Sequence, residues 1–461
     1  MPNVKPSPDM SPDEFRQWGY KFVDWIADYI AHPERYPVLS QVEPGSIRRQ
    51  LPASPPEKPE PMEAMMRDID QIIMPGITHW NHPAFFAYFA VTGSGPGILG
   101  ELLSAALNIN GMLWRTSPSF TELEEHMLDW LRQMLDLSPE FKGIVYDTAS
   151  TSTFHAFAAA REAAGEDAQR LRAYTSNQAH SSVEKAAMAI GLGRRGIVKI
   201  DVDEKFRMDP VALEAAIKKD RNEGWLPFCV SATIGTTSTT SIDPIPRIAD
   251  ICGKYKLWLH VDAAYAGAAA ILPEMRSILA GCDRADSFVM NPHKWLFTPI
   301  DFSAFYCRRP QVLKQAFSLT PEYLQTSDPG TVTNYMDYGI QLGRRFRSLK
   351  FWMVVRYFGV EGLRERIREH IRLGNLFASW VESDEKFELM APVPFSTVCF
   401  RLRGDDASNQ KLIDRVNATG KIFISHTRLN DKLTLRFTVG NLRSTEEHVR
   451  MAWDVINSEV P

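Results

Sequence analysis

The sequence predicts an α/β protein with a large domain on a mostly parallel sheet, a small C-terminal α+β domain and an N-terminal helical arm. Three observations predict it. From about residue 120, short apolar runs alternate with helical stretches, the signature of strands joined by crossover helices. Beyond residue 345 a long helical stretch gives way to three further strands, and near the N-terminus an aromatic segment is set apart by a proline-rich connector. The corresponding boundaries are 1–93 for the arm, 94–369 for the large domain and 370–461 for the small one.

The arm begins with "SPDEFRQWGYKFVDWIADYIA", residues 11–31, whose apolar side chains fall at helical spacing after Ser11 as N-cap and Pro12 in the first turn. The connector "LPASPPEKPEP", residues 51–61, has five prolines in eleven positions and cannot be helix or central strand. In "TELEEHMLDWLRQML", Thr121 and Glu124 have capping-box spacing before Leu128, Leu131 and Leu135, which predicts a helix start at Thr121. Strands are expected at "GIVY", "LRAYTS", "GIVKID", "PFCVSAT", "LWLHV", "SFVM" and "SAFYC", with helices over 151–164, 181–192, 210–219 and 244–254. The stretch from Ser348 to Asp384 is helical and bent or broken near Gly359 and Gly362, and "TVCFRLR", "KIFISH" and "KLTLRFTV" supply the strands of the small domain.

The 461 residues are 44% hydrophobic and 23% charged, enough for a sizeable core. With 52 basic and 56 acidic residues and no long run of one sign, neither nucleic acid nor an anionic membrane is the expected partner. The five cysteines are scattered and never form C-x-x-C, which points to reduced thiols and away from disulfides or a metal site. No run approaches the length of a membrane span, and the first residues lack the apolar core of a signal peptide. The chain reads as a soluble cytoplasmic protein.

Ligands of open α/β sheets bind beyond the carboxyl ends of the strands, and three groups of unusual character stand there. Asp262 ends the apolar strand of "KLWLHVDAAYAG", where a buried carboxylate needs a partner. Lys294 in "NPHKW" follows the apolar "SFVM"; a desolvated lysine loses proton affinity and becomes a nucleophile. In "YDTASTSTFHAF" a strand runs into hydroxyl and small residues that open a helix, a potential phosphate cradle. Singly, each has an ordinary reading: a turn aspartate, a solvated lysine, an N-cap. Together they match pyridoxal 5'-phosphate, which needs a lysine for its aldehyde, a carboxylate for its ring nitrogen and a cradle for its phosphate.

These residues also carry a resemblance to the group II pyridoxal phosphate decarboxylases, most closely those acting on aromatic L-amino acids. "NPHKW" resembles the family's Schiff-base motif, "HVDAAYAG" its pyridinium-binding strand, "NQAHSSVEKA" its ring-stacking histidine segment, "LGRRFRSLK" a further signature and "MPGITHWNHPAFFAYF" its substrate-pocket segment. "VDWIADYI" and "VEPG" are similar to its dimer-wrapping arm. The resemblance implies fold type I, the aspartate aminotransferase-like fold. It also implies a homodimer with the active site at the subunit interface, and conversion of tryptophan, phenylalanine, tyrosine or DOPA to the arylalkylamine and CO2.

Carried onto this sequence, the resemblance makes Lys294 the Schiff-base lysine and Asp262 the partner of the pyridine nitrogen. Ala264 would lie against one ring face and His180 would stack on the other. Thr148, Ala149 and Ser150 match the phosphate cradle, completed by Asn291 and His293, and Thr237 matches a position close to the cofactor. Tyr335, in the segment "LQTSDPGTVTNYMDYG", aligns with the loop tyrosine that returns a proton to Cα, and that segment is long enough to be a mobile lid. Trp80, Tyr88 and Phe89 match aromatic pocket positions; Met112 and Tyr335 would come from the neighbouring subunit. Ala90, Val91, Asn110 and Met112 depart from common family residues and leave the preferred ring open. Gly374 matches a site where glycine accompanies indole preference, by leaving room for a bicyclic ring. Aldehyde formation on the same scaffold and a noncatalytic dimeric binding protein are the alternatives.

Overall fold

The computed structural model describes residues 9–165, 168–319 and 332–460. Helix α1 (Pro12–Ala31) starts as expected: Ser11 accepts from the Glu14 N–H, and Glu14 reaches back to the Ser11 N–H. None of its residues is fully buried; Tyr29, near its end, packs on Tyr36 and His79, while Phe15, Tyr20 and Val23 are exposed. The short helices α2 (Ser46–Gln50) and α3 (Met62–Asp68) lead to α4 (Gly95–Leu107) and α5 (Pro118–Met134).

Helix α5 corrects one expectation. It begins a turn earlier than Thr121, because Ser117 is the N-cap, accepting from the Phe120 N–H at 3.3 Å, and Pro118 occupies the first helical position. Glu124 is therefore not a cap. It is buried inside the fold, where it accepts from the Val145 N–H at 3.0 Å and pairs with Arg344 at 2.7 Å.

The large sheet contains β1 (Lys142–Tyr146), β2 (Leu171–Ser176), β3 (Ile197–Ile200), β4 (Leu226–Thr233), β5 (Trp258–Asp262), β6 (Ser287–Met290) and β7 (Ser303–Cys307), in the order β1-β7-β6-β5-β4-β2-β3. Only β7 runs antiparallel to its neighbours. The central strands β4, β5 and β6 are buried almost throughout because helices cover both faces: α6 (Ala149–Ala164), α7 (Ser182–Ala189), α8 (Pro210–Asn222), α9 (Ile245–Tyr255), the turn-length α10 (Pro292–Trp295) and α11 (Pro310–Phe317).

Helix α12 (Arg347–Ser383) joins the two domains, and its backbone departs from helix at Gly359, the first of the two expected break points. The small domain adds β8 (Phe387–Leu389), β9 (Thr397–Leu402), α13 (Asp406–Ala418), β10 (Ser425–Leu429), β11 (Lys432–Thr438) and α14 (Glu446–Ser458), with an antiparallel sheet in the order β10-β11-β9-β8. The strand expected over "KIFISH" begins only at Ser425. Phe423 is instead occupied with the arm, exchanging backbone hydrogen bonds with Ala84 and Phe86. Val38 and Ala84–Ala87 are accordingly buried in the core of the small domain. Among the described residues no helix is long and apolar enough to cross a membrane.

Candidate active site

The carboxyl ends of β1, β2, β4, β5 and β6 deliver the residues nominated from the sequence. Beyond β1, Thr148 caps α6, its Oγ1 accepting from the Thr151 N–H at 3.5 Å while its own N–H is held by Asp147 at 2.6 Å. The N–H groups of Ala149 and Ser150 open the helix without intrahelical acceptors, and Ser150 is exposed. Beyond β2 stands His180, whose Nδ1 lies 2.8 Å from Ser182 Oγ and accepts from the Ser182 N–H at 3.1 Å. Beyond β4, Thr237 is exposed in a turn whose next residue, Ser238, is docked on the small domain.

Asp262 ends β5, is buried, and accepts from the Ala264 N–H at 3.0 Å. The Ala264 carbonyl in turn accepts from the Asn291 N–H, which ties the strand to the turn that carries Lys294. Burial pushes the Lys294 ammonium below its ordinary pKa, and the Asp262 carboxylate opposes part of that shift. His180 is also pushed down by burial; Asp262 raises it and Lys294 lowers it further. Three chain segments far apart in sequence therefore meet in one electrostatic cluster.

His293 is buried and pushed down to about 3, chiefly by burial. Its Nδ1 accepts from the Phe302 N–H at 2.9 Å, so the neutral ring carries its proton on Nε2, 3.3 Å from the Asn291 side chain. The Asn291 amide is then best oriented with its oxygen toward that proton and its NH2 free to donate. His293 therefore points its remaining proton at Asn291. Trp295 is fully buried, stacked on Tyr265 at 4.6 Å and donating to His370 at 2.9 Å.

Of the aromatic pocket residues, Phe89 reaches the cluster: its ring centre is 5.4 Å from Lys294 Nζ, and it stacks on Tyr265 at 3.9 Å. Trp80 and Tyr88 stack on each other at 5.7 Å and are 38% and 49% exposed. Met112 lies elsewhere, packed with Leu113 and Met336.

Tyr335 is also apart from Lys294 in this chain. It is buried, contrary to the expectation of a lid residue; its ring lies under the Arg344 guanidinium at 4.3 Å, and its hydroxyl has no hydrogen-bond partner among the described residues. The charges acting on it are those of Glu124, Arg344 and Glu125, whereas Lys294 responds to Asp262. Residues 324–331 of the expected lid lie outside the described residues.

Gly374 is corrected. A Cβ there would lie 2.6 Å from Ser396 Cα, so its missing side chain admits strand β9 and leaves no space for a ring. Its link to the site is indirect: Ser396 Oγ is 3.0 Å from the hydroxyl of Tyr265, the residue that supports Phe89.

Two neighbours went unnoticed in the sequence, Tyr265 and Arg436. Arg436 is buried, donates to the carbonyl of Ser238 at 2.7 Å and to Ser425 Oγ at 3.1 Å, and lies 5.2 Å from the Phe89 ring centre. Its Nη2 has no partner among the described residues. In "KLTLRFTV" it stands between threonines on one face of an alternating strand, which reads as a solvated face.

The donor set fits pyridoxal phosphate: an amine of reduced proton affinity, a buried carboxylate, an open helix N-terminus and a buried Asn291 side chain with an unpartnered atom. Comparison with known proteins agrees. Residues 44–403 match the pyridoxal-dependent decarboxylase conserved domain. The chain is 43% identical to the aromatic-L-amino-acid decarboxylase of Rattus norvegicus, over 97% of each protein. Its fold superposes on Oryza sativa TDC with PLP and tryptamine at a TM-score of 0.96, with 38% identity over 98% of this chain and 99% of that one. It also superposes on the Rhodiola rosea 4-hydroxyphenylacetaldehyde synthase at 0.93, with 34% identity over 98% of each chain. The chain belongs to the pyridoxal-dependent decarboxylase family.

Proposed function

We propose that the protein decarboxylates aromatic L-amino acids to arylalkylamines, with pyridoxal 5'-phosphate as cofactor. The observation that carries this reading is the meeting of Lys294, Asp262 and His180 beside the Phe89–Tyr265 stack. When bound, the pyridoxal ring supplies the sink for the electron pair left at Cα as CO2 departs. Lys294, its proton affinity reduced by burial, supplies the amine that exchanges with that of the substrate. Asp262 would hold the ring nitrogen, and the first turn of α6 with Asn291 would hold the phosphate. Phe89, backed by Tyr265, offers an apolar wall to an aromatic side chain. Arg436, a buried cation with an unpaired Nη2, attracts the carboxylate of the incoming amino acid.

A phenol of the chain between α11 and α12 returns the proton to Cα. Tyr335 is the residue nominated by resemblance. Because it is sealed away from Lys294 in its own subunit, it serves the site of a partner, in keeping with the homodimer proposed here. The support for that dimer is unpartnered apolar surface: Phe15, Tyr20 and Val23 on α1, and Leu99, Leu102 and Leu107 on α4, are all 47% exposed or more. The five unpaired, buried cysteines support a reducing, cytoplasmic setting.

The test is a product assay on protein purified with pyridoxal phosphate, offering L-tryptophan, L-phenylalanine, L-tyrosine, L-DOPA and L-glutamate separately. Amine and CO2 in equal amounts from the aromatic substrates support the reading. Aldehyde with hydrogen peroxide selects the aldehyde-forming alternative, and turnover of glutamate alone overturns the substrate class.

A further inference from the structure

Two buried rings that the reaction does not touch lie at the end of β1 and in the middle of α6. Tyr146 and His155 stack at 4.0 Å with only 8° between their planes. His155 Nδ1 is 2.7 Å from the Thr151 carbonyl, which can only accept, so the proton resides on Nδ1 and Nε2 presents a lone pair. That lone pair accepts the Ile340 N–H at 3.3 Å, and the Tyr146 hydroxyl donates to the Tyr338 carbonyl. Between these two bonds runs Gly339, where a Cβ would lie 2.8 Å from His155 Nε2 and 3.3 Å from the Tyr146 ring. The chain therefore lies flat across both rings and needs glycine to do so.

The same patch holds the chain entering this region. Phe317, the last residue of α11, packs its ring 4.8 Å from that of His155. Lys314 pairs with Asp337 at 2.9 Å, joining α11 to the turn that carries Tyr335. The chain on both sides of residues 320–331 is thus fastened to α6. One turn before His155, Thr151 meets Thr148 at the helix start, Oγ1 to Oγ1 at 3.3 Å.

We propose that His155, with Tyr146, is a positioning residue for the return of the proton to Cα. It fixes the chain that carries Tyr335 against α6 of its own subunit, and so sets how that phenol is presented to the partner's site. This rests on the decarboxylase reading above. When the flanking chain is displaced, protonation at Cα slows while loss of CO2 does not. The unprotonated species is then exposed to dioxygen, which with one water yields aldehyde, ammonia and hydrogen peroxide in place of amine.

The experiment measures CO2, amine, aldehyde and peroxide together for the holoenzyme and for His155→Phe, which keeps the stacked ring but loses both hydrogen bonds. Gly339→Ala, which pushes the chain off the rings, and Tyr146→Phe, which deletes one hydroxyl, approach the same clamp without touching His155. His155→Gln, able to donate to Thr151 and accept from Ile340, is the rescue variant. The expected result is a several-fold fall in the amine-to-CO2 ratio for His155→Phe and Gly339→Ala, a smaller fall for Tyr146→Phe, and recovery in His155→Gln. A wild-type ratio in all folded variants, with CO2 release intact, overturns the clamp alone. A wild-type enzyme that releases no CO2 from any aromatic amino acid overturns both the clamp and the reading it rests on.

Discussion

Replacing Gly374 by alanine adds one methyl group at the closest approach of α12 to β9. The new Cβ would stand 2.6 Å from Ser396 Cα, 3.1 Å from its carbonyl carbon and 3.2 Å from its oxygen. Carbon atoms pack at about 3.5–4.0 Å, so helix and strand must part by roughly 1 Å. Overpacking of this kind costs about 1–3 kcal/mol, because the obstructing atoms are backbone and cannot rotate away. The displacement is passed on through the 3.0 Å contact between Ser396 Oγ and the Tyr265 hydroxyl, and from that ring to Phe89 at 3.9 Å. Two readouts follow: a melting temperature lowered by a few degrees, and a several-fold higher KM for aromatic substrates with kcat nearly unchanged. Gly253→Ala in α9, where a Cβ meets nothing within 4 Å, is the control and is expected to be neutral or stabilising by about 0.5–1 kcal/mol. A Gly374→Ala enzyme that melts and binds like wild type would refute both the packing argument and the route to Phe89.

Lys294→Ala is expected to abolish turnover and the absorbance band of the bound cofactor; retained activity removes Lys294 from the chemistry. Tyr335→Phe is expected to lower the amine yield and raise aldehyde, and it should be assayed beside Tyr323→Phe, the other tyrosine between residues 320 and 335. Diversion by the Tyr323 variant alone would transfer the proton-donor role to that residue. Acid sensitivity follows from His155, His260 and His370, each pushed down to about 4 by burial. Their folded pKa lies below the unfolded value near 6.5, so their contribution is fully present above pH 6.5 and is lost as pH falls toward 4. By pH 5 each costs about 2 kcal/mol, and the urea midpoint should fall steeply between pH 7 and 5; a flat profile would contradict their burial as neutral rings.

How much could be read in advance depended on whether a residue's surroundings were local. Lys294, Asp262 and Thr148 each follow an apolar strand, and a parallel sheet sends such residues to one edge whatever the details of packing. Glu124 was misread because its spacing from Thr121 imitates a cap, while the partner that buries it, Arg344, is remote in sequence. Arg436 alternates correctly for a solvent-facing strand position, and only the docking of the 237–239 turn against its strand makes that face interior. Tyr335 sits among turn formers, and its burial depends on α5 and Arg344 folding over it. Gly374 is explained by a strand that follows it in the chain and returns to touch it.

The break at Gly359, with φ 65° and ψ 168°, falls inside the part of α12 that packs on the large domain. Phe351, Val354, Leu363 and Ile367 belong to the core of the large domain, whereas Leu373, Phe377 and Val381 belong to that of the small one. Leu363 to Val381 is unbroken helix shared by both cores, so it ties the tilt of one to every repacking of the other. The glycine, in a conformation that side-chain-bearing residues rarely adopt, lets the first part of α12 take its own angle on the same large-domain core. Substitutions in either core therefore have to preserve the line of the shared stretch after the break.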